Sequence, residues 1–143
     1  MQQLVVFSLG SEEYGLPISK VQEVIRYARP RLVPSAPPCV RGVIDLRGTV
    51  VPVCDLTQRL GLPSATGTEA KILIVEAGTV MAGLVVDRIA EVLTIDEERL
   101  ETPWSAPRAF ASRATIGDRK LVLLDPSALF EQDDVEAAQV VAA

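Results

Sequence analysis

The sequence of 143 residues contains no histidine, only two cysteines and few aromatic residues, which make up 4% of the chain. Without histidine, the chain cannot build a Ser-His-Asp or Cys-His nucleophile, ligate a metal through imidazole or accept a phosphoryl group on histidine. The cysteines, Cys39 and Cys54, form no CxxC motif, whereas a structural zinc site needs about four ligands. We therefore expect two small buried thiols and neither a metal nor another cofactor.

Positive charge is also scarce, since 14 basic residues stand against 19 acidic ones and the formal net charge is −5. This balance disfavours binding to a nucleic-acid backbone or to an anionic membrane. No segment approaches the roughly 20 apolar residues of a membrane span, and the first residues lack the positively charged region of a signal peptide. These features predict a cytoplasmic protein.

Short β-rich runs separated by turn residues dominate the chain. Residues 43–46 and 50–54 predict a hairpin with its turn near Arg47-Gly48-Thr49. Pro52, inside the second run, indicates an edge position or a bulge. Residues 19–26 are compatible with a helical turn or a strand, and after Asp55 the pattern predicts one or two helical turns.

The two halves of the sequence resemble each other. Residues 4–26 align without a gap on residues 72–94, with identities at Gly10/Gly78, Gly15/Gly83, Leu16/Leu84, Glu23/Glu91 and Val24/Val92. A second match, at a shift of 70, places residues 50–60 on 120–130. Two matches in the same order indicate a duplicated half, although β-hairpins also resemble one another by chance.

We accordingly divide a single domain, residues 1–143, into halves at about 1–66 and 67–130, with a tail at 131–143. Residues 61–71 are the expected connector. Short strands without a long intervening helix indicate an all-β fold of two small antiparallel barrels. A half of about 70 residues is marginal alone, so the barrels are expected to share apolar surface.

Catalysis is not expected from these residues. Asp55 and Asp125 occupy matching positions, which raises the possibility of a carboxylate pair as in aspartic proteases. Neither is followed by the Thr/Ser-Gly turn of such sites, and capping of a short helix explains both acids. Phosphate-binding glycine motifs are also missing. A protein-binding surface remains, in which Arg47 projects from a tight turn and Glu23 interrupts an apolar run.

Several segments together resemble the CheW-like chemotaxis coupling proteins over residues 3–130. The segments that carry the resemblance are Gly15–Val24, Gly42–Gly48, Val51–Leu56, Gly83–Asp87 with Glu91–Leu93, and Gly117–Arg119 before Leu121–Asp125. The resemblance implies two intertwined SH3-like five-stranded β-barrels with short helical turns. It also implies a non-catalytic adaptor that links the cytoplasmic tips of chemoreceptors to a CheA-type histidine kinase at membrane-associated receptor clusters.

The resemblance assigns receptor binding to a groove between the barrels. The residues that match this pattern are Val21, Glu23, Gly42 and Arg47, with Gly48 supporting the turn. The resemblance also implies that the kinase binds at the ends of the barrels, but it does not identify the individual residues. The segment between Pro103 and Gly117 is shorter than is usual in the family and lacks its glycine, so an adaptor of a non-flagellar pathway with one altered partner interface is an alternative. A stand-alone SH3-like protein-binding module is another, although such modules usually offer an aromatic groove.

Overall fold

The computed structural model describes residues 2–34, 40–55, 70–77, 80–96, 100–101 and 110–125. Its regular structure consists of strands and one 3-10 turn, Ile18–Lys20. The strands are β1 (Gln2–Leu9), β2 (Glu12–Pro17), β3 (Val21–Arg26), β4 (Val40–Leu46), β5 (Thr49–Asp55), β6 (Lys71–Ala77), β7 (Val80–Val86), β8 (Arg88–Ile95), β9 (Leu100–Glu101), β10 (Phe110–Ile116) and β11 (Arg119–Leu124). The predicted all-β class is confirmed.

The strands form two sheets, and each sheet takes strands from both halves of the sequence. Sheet 1 has the order β8-β1-β2-β11-β10-β9, and sheet 2 has the order β3-β6-β7-β5-β4. Neighbours are antiparallel except for β2 with β11 and β5 with β7, which are parallel. The chain therefore crosses between the sheets, which makes the two units intertwined.

Each sheet closes around an apolar cluster of its own. In sheet 2, Ile25 of β3 and Ile44 of β4 pack on the same buried cluster, although these strands are at opposite ends of the sheet. In sheet 1, Leu93 of β8 and Ile116 of β10 likewise share one cluster. A sheet whose distant strands share a core is curled into a barrel, and we call the units barrel 1 and barrel 2 after their sheets.

A third apolar cluster joins the barrels. Alternate residues of one strand serve different clusters, because successive side chains point to opposite faces. On β1, Leu4 and Val6 face the cluster of barrel 1, whereas Val5 and Phe7 belong to the central cluster. Among the described residues, the central cluster contains 13 buried ones, and the Phe7 ring stacks on Tyr14 at a centroid distance of 6.1 Å.

The order of strands in sheet 2 reappears in sheet 1. Under the shifts of 68 and 70 residues, β3-β6-β7-β5-β4 corresponds to β8-β1-β2-β11-β10. Core residues correspond as well, as in the pairs Leu4/Ile72, Val5/Leu73, Val6/Ile74, Leu16/Leu84, Cys54/Leu124 and Leu46/Ile116. Sheet 1 differs by the additional two-residue strand β9 at its edge.

The local predictions have different outcomes. The hairpin at residues 47–48 is confirmed, and the ambiguous segment 19–26 is mainly strand. Of the two alternatives for Pro52, the edge position is wrong, since β5 lies between β7 and β4, and the parallel pairing with β7 starts only at Val53. The register shift in the β4–β5 ladder lies between Val40 and Gly42, opposite Cys54 and Val53, and not at Pro52. Cys54 is buried as expected, whereas Cys39, the helical turns predicted after Asp55 and Asp125, and the segments 61–69, 102–109 and 131–143 lie outside the described residues.

Within the described part of the chain, no helix has the length and apolar composition needed to cross a membrane.

Candidate functional site

The hairpin between β4 and β5 presents Arg47 at its tip. Leu46 pairs with Thr49, so the loop has two residues, and both Arg47 (φ 51°) and Gly48 (φ 87°) have positive φ. This is the pattern of a type I′ turn, whose twist matches that of the flanking strands. The Gly48 amide donates a hydrogen bond of 2.9 Å to Asp45 Oδ1. The turn therefore fixes the backbone from which the Arg47 side chain projects.

Arg47 forms a two-point ion pair with Glu23. Arg47 Nη1 donates to Glu23 Oε2 at 3.3 Å, and Arg47 Nη2 donates to Glu23 Oε1. The side chain of Arg47 is 72% exposed, and that of Glu23 is 31% exposed. Hydrogen bonding from Arg47 lowers the pKa of Glu23 and raises that of Arg47. Two residues that the sequence analysis selected separately, on β3 and on the β4–β5 turn, are thus brought into contact.

A groove lies beside this ion pair at the end of barrel 2. It has a volume of about 420 Å³ and is lined by Gln22, Glu23, Leu46, Arg47, Thr49 and Met81, and we call it the hairpin groove. Leu46 and Met81 are partly buried and pack on the core of barrel 2. Gln22 Nε2 donates a hydrogen bond to Glu76 Oε1 on β6.

Of the six groove residues, only Glu23 and Arg47 were predicted as site residues from the sequence. Gln22 is displaced by a register shift between Val21 and Glu23, and no sequence signal indicates such a bulge. Met81 comes from the other half of the sequence, as a member of β7. Its proximity to Arg47 follows only from the crossing of the chain between the sheets.

Gly42 occupies a different place from Arg47. It is buried, and four residues of β4 lie between it and Arg47, which corresponds to about 17 Å at the usual rise per residue. A Cβ on Gly42 would lie 2.2 Å from the carbonyl oxygen of Arg31. Arg31 and Val43 exchange two backbone hydrogen bonds of 2.8 and 2.9 Å. The requirement for glycine here thus comes from the segment that packs against β4.

The side chain of Val21 is half-buried and packs against the central cluster. Of the five residues matched to the receptor-binding pattern, the structure brings Glu23, Arg47 and Gly48 together around one turn. Gly42 lies at the far end of β4, and Val21 packs towards the joint between the barrels.

A second group of charged side chains lies on sheet 1. Arg119, the first residue of β11, donates to Glu13 Oε1 and Oε2 at 3.0 and 2.9 Å and to Glu91 Oε1 at 2.5 Å. Hydrogen bonding from Arg119 lowers the pKa of Glu13, and burial opposes this effect. The same contacts raise the pKa of Arg119. Glu91 is aligned with Glu23 in the sequence, whereas no role was predicted for Arg119.

Another cavity, of about 280 Å³, lies near the segment that connects β3 to β4 and is lined by Tyr27, Arg29, Pro30, Leu32, Arg41, Asp55 and Val85. Arg41 Nη2 donates to Asp55 Oδ2 at 3.1 Å, which gives this buried carboxylate a structural partner. Asp55 ends β5 in sheet 2, whereas Asp125 follows β11 in sheet 1. Among the described residues, no group of three or more Cys, Asp or Glu side chains is placed to hold a metal ion.

Comparison with known proteins gives concordant matches. A model of the CheW-like domain family matches residues 3–134. The chemotaxis protein CheW of Klebsiella aerogenes is 31% identical over an alignment that covers 99% of this chain and 89% of that protein. CheW of Bacillus subtilis is 30% identical, with coverages of 96% and 92%. The crystal structure of the scaffolding protein TtCheW from Thermoanaerobacter tengcongensis is similar with a TM-score of 0.87 and 34% identity, over 93% of this chain and 90% of that one.

Proposed function

Because the chain belongs to the CheW-like family, we propose that it is a non-catalytic adaptor that couples chemoreceptors to a CheA-type histidine kinase. It acts in the cytoplasm, at membrane-associated receptor clusters. The similarity to chemotaxis proteins and to a scaffolding protein over nearly the whole chain supports this function. The single structural observation that carries the proposal is the ion pair between Arg47 and Glu23 beside the hairpin groove.

Receptor recognition would be of the helix-in-groove kind, since a receptor tip is a helical hairpin. Aliphatic side chains contact the helix, and Arg47 and Glu23 supply polar contacts next to them. Gly48 maintains the turn that holds Arg47, while Val21 and Gly42 act through the backbone and packing around β3 and β4. Docking would remove the ion pair from water, and losing one member of a desolvated pair weakens binding strongly.

The kinase would contact the ends of the barrels, where a related barrel pairs with one of this chain. No chemical change in the adaptor is needed, because two surfaces on one rigid body set the distance between receptor and kinase. Several weak contacts in one assembly reinforce each other through effective concentration. The central cluster that joins the barrels keeps these surfaces in a fixed relation.

Binding of a receptor fragment tests the proposal. We expect the Arg47→Ala variant to melt like the wild type and to bind a soluble chemoreceptor fragment containing the tip hairpin about tenfold or more weakly. Alanine meets the same positive φ as arginine, so the backbone strain at this position is unchanged. Calorimetric titration measures the affinity, and equal affinity of both proteins would remove the role given to Arg47.

Purification from the native cell tests the adaptor as a whole. A tagged wild-type chain is expected to co-purify with both a receptor and a histidine kinase, and the Arg47→Ala variant with the kinase alone. If the wild type captures neither component, the adaptor function is wrong.

A further inference from the structure

The segment that leads from β3 to β4 carries a local excess of positive charge. Residues 24–44 contain no acidic residue, although the net charge of the whole chain is −5. Their four basic residues are all exposed, and we call them the arginine patch: Arg26, Arg29, Arg31 and Arg41. Arg41 is paired with Asp55. Within the described part of the chain, no ion pair involves the other three arginines, so their charge is available to an acidic partner.

The arginine patch has a fixed position on barrel 2 and lies beside exposed apolar side chains. Arg31 exchanges two backbone hydrogen bonds with β4, which holds the segment against the barrel. Arg29 and Arg41 line the cavity of about 280 Å³ together with Tyr27 and Leu32. The leucine is 81% exposed and the tyrosine 39%. A segment that fits this surface therefore combines carboxylates with small apolar side chains.

The C-terminal part of the sequence has this composition. Residues 121–143 contain five acidic residues and no basic one. Four of the acids lie within six positions, at Glu131, Asp133, Asp134 and Glu136, and alanines and valines follow them. We call residues 131–143 the acidic tail; they lie outside the described residues. The acidic tail and the arginine patch thus have opposite charges, and both include apolar side chains.

The acidic tail is long enough to reach the arginine patch. Strand β11 runs parallel to β2, and continuing their register by two residues places Asp125, the last described residue, level with Pro17. From Pro17 the chain passes through the 3-10 turn and β3 to Tyr27. With the spacing between neighbouring strands included, this path is at most about 35 Å long. The eleven residues from Asp125 to Glu136 span up to about 36 Å when extended.

We propose that the acidic tail docks on the arginine patch of its own chain, where its carboxylates pair with the arginines and its apolar side chains cover Leu32 and Tyr27. A single exposed ion pair is weak. Several pairs on one tether act together, because a short linker such as residues 126–130 keeps the tail at an effective concentration of about 1 mM or more. The docked tail covers the cavity beside the patch and competes with any acidic partner for it.

Amide chemical shifts of the intact chain, measured by NMR, test the docking. The variant Asp133→Asn/Asp134→Asn/Glu136→Gln keeps the length of the tail and removes three of its charges. We expect it to shift the amide signals of residues 27–32. Addition of about 0.5 M sodium chloride should shift the same signals in the wild type, because salt screens exposed ion pairs. The effect of salt on these signals should be much smaller in the variant.

The variant Glu12→Gln/Asp96→Asn/Asp118→Asn is the matched control. It removes the same number of acidic charges from exposed positions of barrel 1. Its net charge equals that of the tail variant, so a general effect of charge would appear in both. We expect the control to leave the amide signals of residues 27–32 at their wild-type positions.

A synthetic peptide of residues 126–143 tests the same contact without a covalent link. Added to the tail variant at about millimolar concentration, the peptide is expected to move the amide signals of residues 27–32 back towards their wild-type positions. A peptide that carries the three substitutions of the tail variant should leave them unchanged.

The outcomes decide between docking within one chain and its alternatives. Signals of residues 27–32 that are the same in the wild type and the tail variant, or that move equally in the control, overturn the inference. Wild-type signals that change on dilution show that the tail of a second copy occupies the patch, and they overturn docking within one chain. None of these measurements uses a receptor or a kinase, so the inference does not depend on the proposed function.

Discussion

At the scale of single residues, the two ends of β4 impose different backbone requirements. Gly42 lies under the carbonyl of Arg31, where a side chain has no room. Arg47 lies in a tight turn with positive φ, which is uncommon for a residue other than glycine. Strain of this kind often occurs at functional sites, and the strained Arg47 forms the ion pair with Glu23. Gly42 is thus required for packing, whereas the proposed role of Arg47 depends on its side chain.

The requirement at Gly42 gives a direct prediction. Gly42→Ala is expected to lower the free energy of unfolding by more than about 1 kcal/mol, because the new Cβ would lie 2.2 Å from the Arg31 oxygen. The Val43 amide, which donates to that oxygen at 2.9 Å, should lose protection from hydrogen exchange. Urea unfolding and exchange measured by NMR would reveal both effects.

Gly48→Ala is the matched control. Its φ is also positive, but a Cβ there meets nothing within 4 Å, so the cost should be about 1–2 kcal/mol with the Val43 amide still protected. A Val43 amide that is equally protected in the two variants would contradict the account of Gly42. A weaker receptor affinity of Gly42→Ala would follow from the displaced segment rather than from a lost side-chain contact.

At the scale of elements, charged side chains connect strands that are remote in sequence. Arg119 of β11 contacts Glu13 of β2 and Glu91 of β8. Its hydrogen bonds lower the pKa of Glu13, with a smaller attraction from Arg88. Because the folded pKa lies below the ordinary value, the stabilisation is present above about pH 4.5 and is lost as the pH falls through the folded pKa.

Acid unfolding should therefore depend on Glu13. Relative to the wild type, Glu13→Gln is expected to have a melting temperature about 1–3 °C lower at pH 7. The difference should shrink as the pH falls from about 4.5 through the folded pKa of Glu13, because the wild type loses the ion pair as Glu13 is protonated. Calorimetric melting at several pH values checks this, and a constant difference over that range would contradict it.

The strands also show which parts of the fold and of the site can be predicted from the sequence alone. The alignment of residues 4–26 with 72–94 predicts core positions, since Leu16 and Leu84 are both fully buried in the central cluster. The glycine between Arg47 and Thr49 identifies the hairpin. The presence of Arg47 and Met81 in one groove could not be predicted, because it depends on which strands become neighbours across sheet 2. The interior position of Pro52 depends on the same pairing, in which β7 joins β5 only from Val53 onwards.

At the scale of the whole molecule, burial of apolar side chains in the central cluster contributes strongly to the free energy of unfolding. Leu84 has no exposed surface, so Leu84→Ala is expected to lower the free energy of unfolding by about 2–5 kcal/mol. Val92→Ala, at a side chain that is 53% exposed, should change it by about 0.5 kcal/mol or less. Chemical unfolding of both variants is the measurement, and similar values for the two would contradict the placement of Leu84 in the core.

Separate expression of residues 1–66 and 67–143 probes the intertwining. Strands β1 and β2 pair with β8 and β11, and β3 and β5 pair with β6 and β7. Neither fragment can complete a sheet, so each is expected to be unfolded alone, and an equimolar mixture should regain the β-sheet circular dichroism of the intact chain. An independently folded fragment would show that one half has a barrel of its own.

The parallel pairing of β2 with β11 also affects how the protein is made. During synthesis, β2 waits for a partner that lies about 100 residues further along the chain, and such distant pairings slow the search for the native state. Barrel 1 cannot close until β11 has been synthesised, so its apolar strands stay open to aggregation until then. Exposed apolar strands of this kind are what chaperones bind.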